Sequence, residues 1–105
     1  MNKKDKLKEK IEWRNDLQSG LYIKYNSAGD EIVKGSYKEG GKDGRWSWYV
    51  SAEVKDMEGG FLNNEQHGDW KFWFANGKVH HEGKYDSGKM TGEWKYYYED
   101  GSDYK

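Results

Sequence analysis

Apolar and polar residues alternate along most of this chain, and large aromatic residues recur within the alternation at one constant interval. A glycine opens each unit, and an aromatic residue stands two positions after it. The clearest column is Tyr22, Trp46, Trp70 and Trp94. Alternation indicates half-buried β-strands, and a constant period of about 24 residues indicates one supersecondary unit stacked on copies of itself. The pattern therefore predicts an array of β-hairpins.

The third unit predicts how each hairpin pairs. Asn76 and Gly77 stand between two alternating segments, and an Asn-Gly pair favours a turn with positive φ at both central positions. Counting outward from this turn gives the expected pairs: Phe74 with Val79, Phe72 with His81, Trp70 with Gly83, and Gly68 with Tyr85. The period extends the scheme to Trp46 with Gly59 and Tyr22 with Gly35.

A recurring pair of an aromatic residue and a glycine has a physical reason. We expect each ring to lie across the glycine with which it pairs, because glycine leaves backbone uncovered and a Cβ atom would collide with the ring. Residues assigned a structural role on this ground are Gly35, Gly59, Gly83, Trp46, Trp70 and Trp94. Glu53 replaces the turn glycine of the other units, so the second hairpin tip is expected to differ in shape.

The N-terminal segment is compatible with two structures. Leu7, Ile11 and Leu17 fit one face of a short helix, whereas Leu7, Ile11 and Trp13 fit one face of a strand. Because residues 13–20 match 37–44 in register, a strand over about residues 8–14 is favoured. Residues 1–6 are expected to be a frayed basic tail, and 7–105 a single repeat domain. Its predicted units are a partial repeat 7–19, whole repeats 20–43, 44–67 and 68–91, and a partial repeat 92–105.

Composition limits the class of protein. Only 33% of the residues are hydrophobic and 35% are charged, but an aromatic content of 17% supplies large buried area per residue. A thin sheet held together by aromatic residues fits this balance better than a compact two-layer core. The net charge of −1 offers no bias toward nucleic acid or anionic membrane, and the absence of cysteine excludes disulfides.

Several segments resemble the MORN repeat in its bacterial variant. They are Gly35–Gly44, Gly44–Tyr49, Gly83–Gly92 and Gly92–Gly101, which share the glycine and aromatic positions of that repeat. The resemblance covers 13–101 and implies tandem hairpins in one elongated, twisted, open antiparallel sheet of about seven to nine strands. Bacterial chains of this kind are similar to the YwqK-like family of antitoxin or immunity proteins. The resemblance therefore implies a protein partner, a toxin domain.

Catalytic and metal chemistry find little support in the sequence. His67, His80 and His81 are the only histidines, and adjacent His80 and His81 are expected on opposite faces of a strand, where they cannot hold one metal ion. The carboxylates are spread with the repeat, and the serines lack a nucleophile motif. We therefore expect no enzyme activity, no cofactor and no functional metal.

Period-two alternation separates a largely aromatic face from a charged face. A single sheet has no second layer to cover the first, and contiguous exposed apolar surface marks an interaction site. The predicted partner-binding residues are Trp48, Phe72, Phe74, Tyr96 and Tyr98. An alternative site is the aromatic stripe on the charged face, formed by Tyr49, Trp73 and Tyr97.

The leading hypothesis is a non-catalytic protein-binding module that neutralises a toxin. Two alternatives remain: a carbohydrate- or cell-wall-binding repeat protein, and a structural repeat protein that self-associates, for example as a homodimer through the aromatic face. No apolar run reaches membrane-spanning length, so neither membrane insertion nor nucleic-acid binding is expected. A cytoplasmic location is expected, with a secreted or periplasmic one open if a signal segment is missing from this sequence.

Overall fold

The structure is a computed structural model that describes residues 8–103, which form β-strands joined by turns and contain no helix. The strands are β1 Glu9–Arg14, β2 Leu17–Tyr25, β3 Glu31–Lys38, β4 Gly41–Lys42, β5 Gly44–Ser51, β6 Val54–Leu62, β7 Glu65–Trp73, β8 Val79–Asp86 and β9 Lys89–Tyr96. They form one antiparallel sheet in the order β1-β2-β3-β5-β6-β7-β8-β9, with β4 beside β3. Its extents of 49 × 33 × 12 Å leave room for one layer. The predicted all-β array of hairpins in one open sheet is confirmed.

Two-residue turns connect neighbouring strands along one side of the sheet. Both residues of each turn have positive φ, the conformation whose twist matches that of paired strands. The turns occupy equivalent positions in successive units: Asn15-Asp16, Glu39-Gly40, Asn63-Asn64 and Ser87-Gly88. One unit of the sequence therefore extends from one such turn to the next.

Three of the turns on the other side are longer than the sequence predicted. Residues 74–78 form a five-residue loop in which the Phe74 N–H donates to the Lys78 carbonyl oxygen at 2.8 Å. Gly77 has positive φ and Asn76 does not, so the predicted Asn-Gly turn with two positive φ angles is wrong. Asn76 instead accepts the Lys78 N–H through its side chain at 2.9 Å. The same loop recurs over 26–30 and 98–102.

The second hairpin tip differs from the others, as expected from Glu53. Ser51 pairs with Val54, so the turn holds only Ala52 and Glu53. Glu53 does not adopt positive φ, whereas Gly77 at the equivalent position does. The shorter turn avoids a positive φ at Glu53, which a residue with a Cβ atom adopts at a cost.

A β-bulge follows each of the first three hairpin tips and changes which side chains share a face. Phe72 pairs with His81 but Trp73 pairs with Val79, so His80 is an extra residue. The predicted pairing of Phe74 with Val79 is wrong for this reason. The extra residues recur with the period of the sequence: Ile32, Asp56 and His80.

The tryptophan rings lie over glycines, but in the direction opposite to the one predicted. Trp70 pairs with Gly59 on one side and Gly83 on the other, as expected from the period. A Cβ atom on Gly59 would overlap the Trp70 ring, whereas Gly83 lies under Trp94. Each ring therefore covers the strand that precedes it in the sheet, and Trp46 covers Gly35 rather than Gly59.

The indole nitrogen makes this arrangement specific. Trp70 Nε1 donates to the carbonyl oxygen of Gly60 at 3.0 Å, one residue beyond the covered glycine. Trp46 and Trp94 repeat the bond with Ser36 and Lys84, at 3.0 and 3.2 Å. A buried indole N–H needs an acceptor, so the bond fixes the side toward which the ring leans. Trp46 and Trp70 are the most buried side chains, 1% and 2% exposed.

The N-terminal segment forms a strand, as favoured from the sequence. Ile11 stands at the position of the covered glycines, and Tyr22 stands opposite it in place of tryptophan. The Tyr22 hydroxyl donates to Glu9 Oε2 at 2.8 Å. Burial and this bond raise the pKa of Tyr22 to about 12. The predicted tail at 1–6 lies outside the described residues.

The turn geometry predicts the effect of one substitution. Glu39 has a φ of 51°, which a residue with a long side chain adopts at a cost. We expect Glu39→Asn to raise the free energy of unfolding by about 0.5–1 kcal/mol, because Asn-Gly favours this turn. Urea denaturation measures the change. Glu53→Asn is the matched control and should give no such gain, and equal effects at the two positions would contradict the turn assignment.

Candidate functional site

One face of the sheet carries a continuous stack of aromatic rings. Rings follow one another at centroid distances of 5.5 to 6.5 Å in the order Tyr22, Trp46, Trp48, Trp70, Phe72, Trp94. A second column stands edge-on between the tryptophans and consists of Tyr37, Phe61 and Tyr85. Edge-to-face and offset-stacked pairs are the favoured geometries of aromatic rings. The rings therefore cover one another and serve as the core of a single-layer sheet.

The predicted partner-binding residues divide into two groups within this face. Trp48 stacks between Trp46 and Trp70 at 5.9 and 5.7 Å, and Phe72 stacks on Trp70 and His81. Both are partly buried by their neighbours. These two rings are part of the internal stack. The predicted residues that offer more surface lie toward the C-terminal end.

That end of the aromatic face forms a shallow hollow. Its volume is about 580 Å³, and it is lined by Phe74, His80, Tyr96, Tyr97, Tyr98 and Glu99. Tyr96 is 41% exposed and Tyr98 is 51% exposed. The structure thus brings together three of the predicted residues with Tyr97 of the alternative stripe, and it adds the polar side chains of His80 and Glu99. A concave, mainly aromatic surface with a few polar groups is the usual form of a binding site.

The two adjacent histidines lie together, which corrects the expectation of opposite faces. His80 Nδ1 and His81 Nδ1 are 2.8 Å apart, because His80 is the extra residue of the bulge. The His81 ring lies between Phe72 at 4.2 Å and Tyr96 at 5.2 Å. The ring centroids of His80 and Phe74 lie 4.4 Å apart, so His80 reaches the hollow. His81 stands where earlier units have Val33 and Met57, and this difference is the sequence signal that could have indicated the histidine contact.

Burial of the His81 ring has an electrostatic consequence. Removal of the ring from water, together with the nearby His80, lowers the pKa of His81 below its usual value. The imidazole is therefore neutral over a wider pH range and acts as a further ring of the stack. Within residues 8–103, no three His, Cys, Asp or Glu side chains converge in a way that could hold a metal ion.

The opposite face is a network of paired charges. Glu58 accepts hydrogen bonds from Ser47 and Lys55 at 2.8 and 3.0 Å, and Lys71 lies 3.6 Å from Glu82. The contacts of Glu58 outweigh its burial and lower the pKa of its carboxyl group. Acidic and basic side chains therefore stand beside one another on this face.

The alternative aromatic stripe is tied into this network. Lys55 Nζ lies 5.4 Å from the centre of the Trp73 ring, and the Tyr97 hydroxyl donates to Glu82 at 2.7 Å. Tyr49 is partly buried in the same column. Tyr49 and Trp73 do not line the hollow, whereas Tyr97 does, so the two candidate surfaces meet at Tyr97.

The chain matches no protein-family model, no curated protein and no solved structure. Residues 8–103 contain no helix that is long and apolar enough to span a membrane.

Burial of His81 predicts how stability varies with pH. Since folding lowers its pKa, the unfolded chain takes up this proton at a higher pH than the folded chain. The stability that depends on neutral His81 is complete above about pH 6.5 and decreases as the pH falls below that value. We expect the melting temperature to decrease over this window, and His81→Phe to reduce the decrease.

Calorimetry at a series of pH values measures this effect. Met57→Phe adds a ring at the equivalent position of the preceding unit, and it should leave the slope unchanged. The lowered pKa of Glu58 acts in a separate window, because its contribution is lost only as the pH falls through the acidic range of a carboxyl group. Identical slopes for wild type and His81→Phe near pH 6 would contradict the role assigned to His81.

Proposed function

We propose that this protein is a non-catalytic binding module whose protein partner docks on the C-terminal part of the aromatic face. The observation that carries the proposal is the hollow lined by Phe74, Tyr96 and Tyr98, in which Tyr96 and Tyr98 remain substantially exposed on a one-layer sheet. Aromatic residues in such hollows are favoured interface anchors, because each buries much area at a small loss of rotamer freedom.

The partner that we propose is a toxin domain. The resemblance to YwqK-like antitoxin or immunity proteins supports this choice, and an open sheet offers the extended surface that neutralising a folded domain requires. The contacts on the charged face also favour docking of the partner on the aromatic face. Glu58 and Glu82 of that face already contact lysines within the sheet, whereas the exposed area of the rings in the hollow can be covered by a second molecule.

A carbohydrate is a second candidate ligand of the same hollow. Tyr96 and Tyr98 present rings on which a sugar could stack, and Glu99 and His80 supply polar groups at the margin. This arrangement suits a single sugar ring as well as a protein side chain. Binding to cell-wall fragments, measured by calorimetry, separates the two proposals, because a protein-specific site should show no affinity for them.

The proposal predicts which substitutions weaken the complex. Once the partner has been isolated by affinity capture and expressed, we expect Phe74→Ala or Tyr98→Ala to weaken its binding by about 2 kcal/mol. The physical reason is the loss of aromatic area that the complex buries. For Tyr98→Ala, the stability of the free chain, measured by its melting temperature, should change less than the affinity for the partner, since Tyr98 is 51% exposed before binding.

Tyr49→Ala is the matched control on the opposite face and should bind with unchanged affinity. Growth rescue on co-expression with the partner then tests the toxin assignment, and a partner that is harmless alone would exclude it. Loss of binding in Tyr49→Ala or Trp73→Ala, with normal binding in Tyr98→Ala, would move the site to the charged face.

A further inference from the structure

The outer strand β9 repeats the sequence pattern of β5 and β7. Those two strands each lie between two others, whereas β9 is the last strand of the sheet. Gly92 and Trp94 match Gly68 and Trp70 in β7, and β7 lies between β6 and β8. β9 pairs with β8 on one side. On its other side, residues 8–103 contribute only the bridge between Tyr97 and Asp103. The main-chain groups of β9 beyond that bridge therefore form an edge on which a further strand can pair.

The aromatic stack shows what such a strand should carry on one face. Trp70 has an edge-on ring on each side, Phe61 at 5.3 Å and Tyr85 at 5.7 Å. Trp94 has Tyr85 at 5.1 Å on the β8 side, and residues 8–103 supply no edge-on ring on the other side. Trp94 is correspondingly less buried than Trp70. A ring on the added strand opposite Gly92 would take the place that Phe61 takes opposite Gly44.

The charged face shows what the same strand should carry on its other side. Glu58 pairs with Lys71, Lys71 pairs with Glu82, and Glu82 pairs with Lys95. Opposite charges placed directly across two strands stabilise the pair, and like charges destabilise it. The row ends in a cation at β9, so an acidic residue belongs opposite Lys95.

These two requirements have a fixed spacing on one strand. In β6 the residue that pairs with Ser47 is Glu58 and the residue that pairs with Gly44 is Phe61. Lys95 and Gly92 are the positions of β9 that correspond to Ser47 and Gly44, two repeat units further along the chain. An antiparallel strand that satisfies both therefore reads acidic-x-x-aromatic in the direction of its chain.

We propose that the edge of β9 binds an extended segment of the partner protein that carries this acidic-x-x-aromatic pattern. The proposal rests on the protein-binding function proposed above and adds the form of the bound segment. Main-chain hydrogen bonds to the edge supply affinity, and the side chains opposite Gly92 and Lys95 supply selectivity, as in other cases of strand addition.

A peptide with the sequence of β6, Val54–Leu62, tests the proposal against the full chain. It carries Glu58 and Phe61 at the required spacing. We expect saturable binding by calorimetry, with amide shifts in the NMR spectrum confined to β9 and its neighbour β8. The Phe61→Ala peptide should bind about tenfold more weakly. The Glu58→Lys peptide should bind about threefold more weakly, because it opposes a lysine.

A charge exchange provides the matched control. The Lys95→Glu chain should prefer the Glu58→Lys peptide over the unchanged peptide, which reverses the wild-type order. If Lys95→Glu fails to fold, the two peptide variants with the wild-type chain still decide the outcome. Absence of binding up to about 1 mM peptide, shifts located at β1 or in the hollow, or equal affinities of all peptides would each overturn the proposal.

The two proposals fail in different experiments. If the peptide does not bind but Tyr98→Ala weakens the partner complex, the strand proposal is wrong and the aromatic docking site stands. If the peptide results hold but the partner complex is insensitive to Phe74→Ala and Tyr98→Ala, the edge is the binding site and the hollow is not.

Discussion

The structure depends on one contact, a tryptophan ring that lies over a glycine of the preceding strand and donates its indole N–H to the next carbonyl oxygen. Trp70 over Gly59, with the bond to Gly60, is the central example. The contact joins a hairpin to the hairpin before it, so it connects units that turns alone would leave independent. Since both partners recur with the period of the sequence, one local arrangement builds the whole array.

This constraint explains how a chain with few aliphatic residues maintains a sheet without a second layer. Rings that cover glycines become the core, and the rings between them, such as Trp48 and Phe72, extend that core into a stack. The same construction leaves the last unit incomplete, because within the described residues Trp94 has an edge-on ring on one side only, Tyr85, whereas Trp70 has both Phe61 and Tyr85. The hollow and the β9 edge, the two surfaces proposed for binding, both lie at this end.

The period and the alternation were sufficient to predict the hairpins, the open sheet and most of the register, including Trp70 opposite Gly83. They could not predict which neighbouring glycine the ring covers, because Trp70 pairs with one on each side and the hydrogen bond to Gly60 decides between them. The bulge at His80 was also missed, since a period of two assumes that every residue has a partner. That one extra residue explains why Phe74 does not pair with Val79 as predicted, and why His80 and His81 lie in contact. The hollow follows from such local deviations, so only part of it was predictable.

A double-mutant cycle tests the ring-over-glycine contact most directly. Gly59→Ala should destabilise the wild-type chain and cost much less in a Trp70→Leu background, with a coupling free energy of about 1–3 kcal/mol by urea denaturation. The same glycine substitution combined with Trp46→Leu should be additive or nearly so, because the Trp46 ring leans over Gly35. Coupling of Gly59 to Trp46 instead of Trp70, or to neither, would contradict the account.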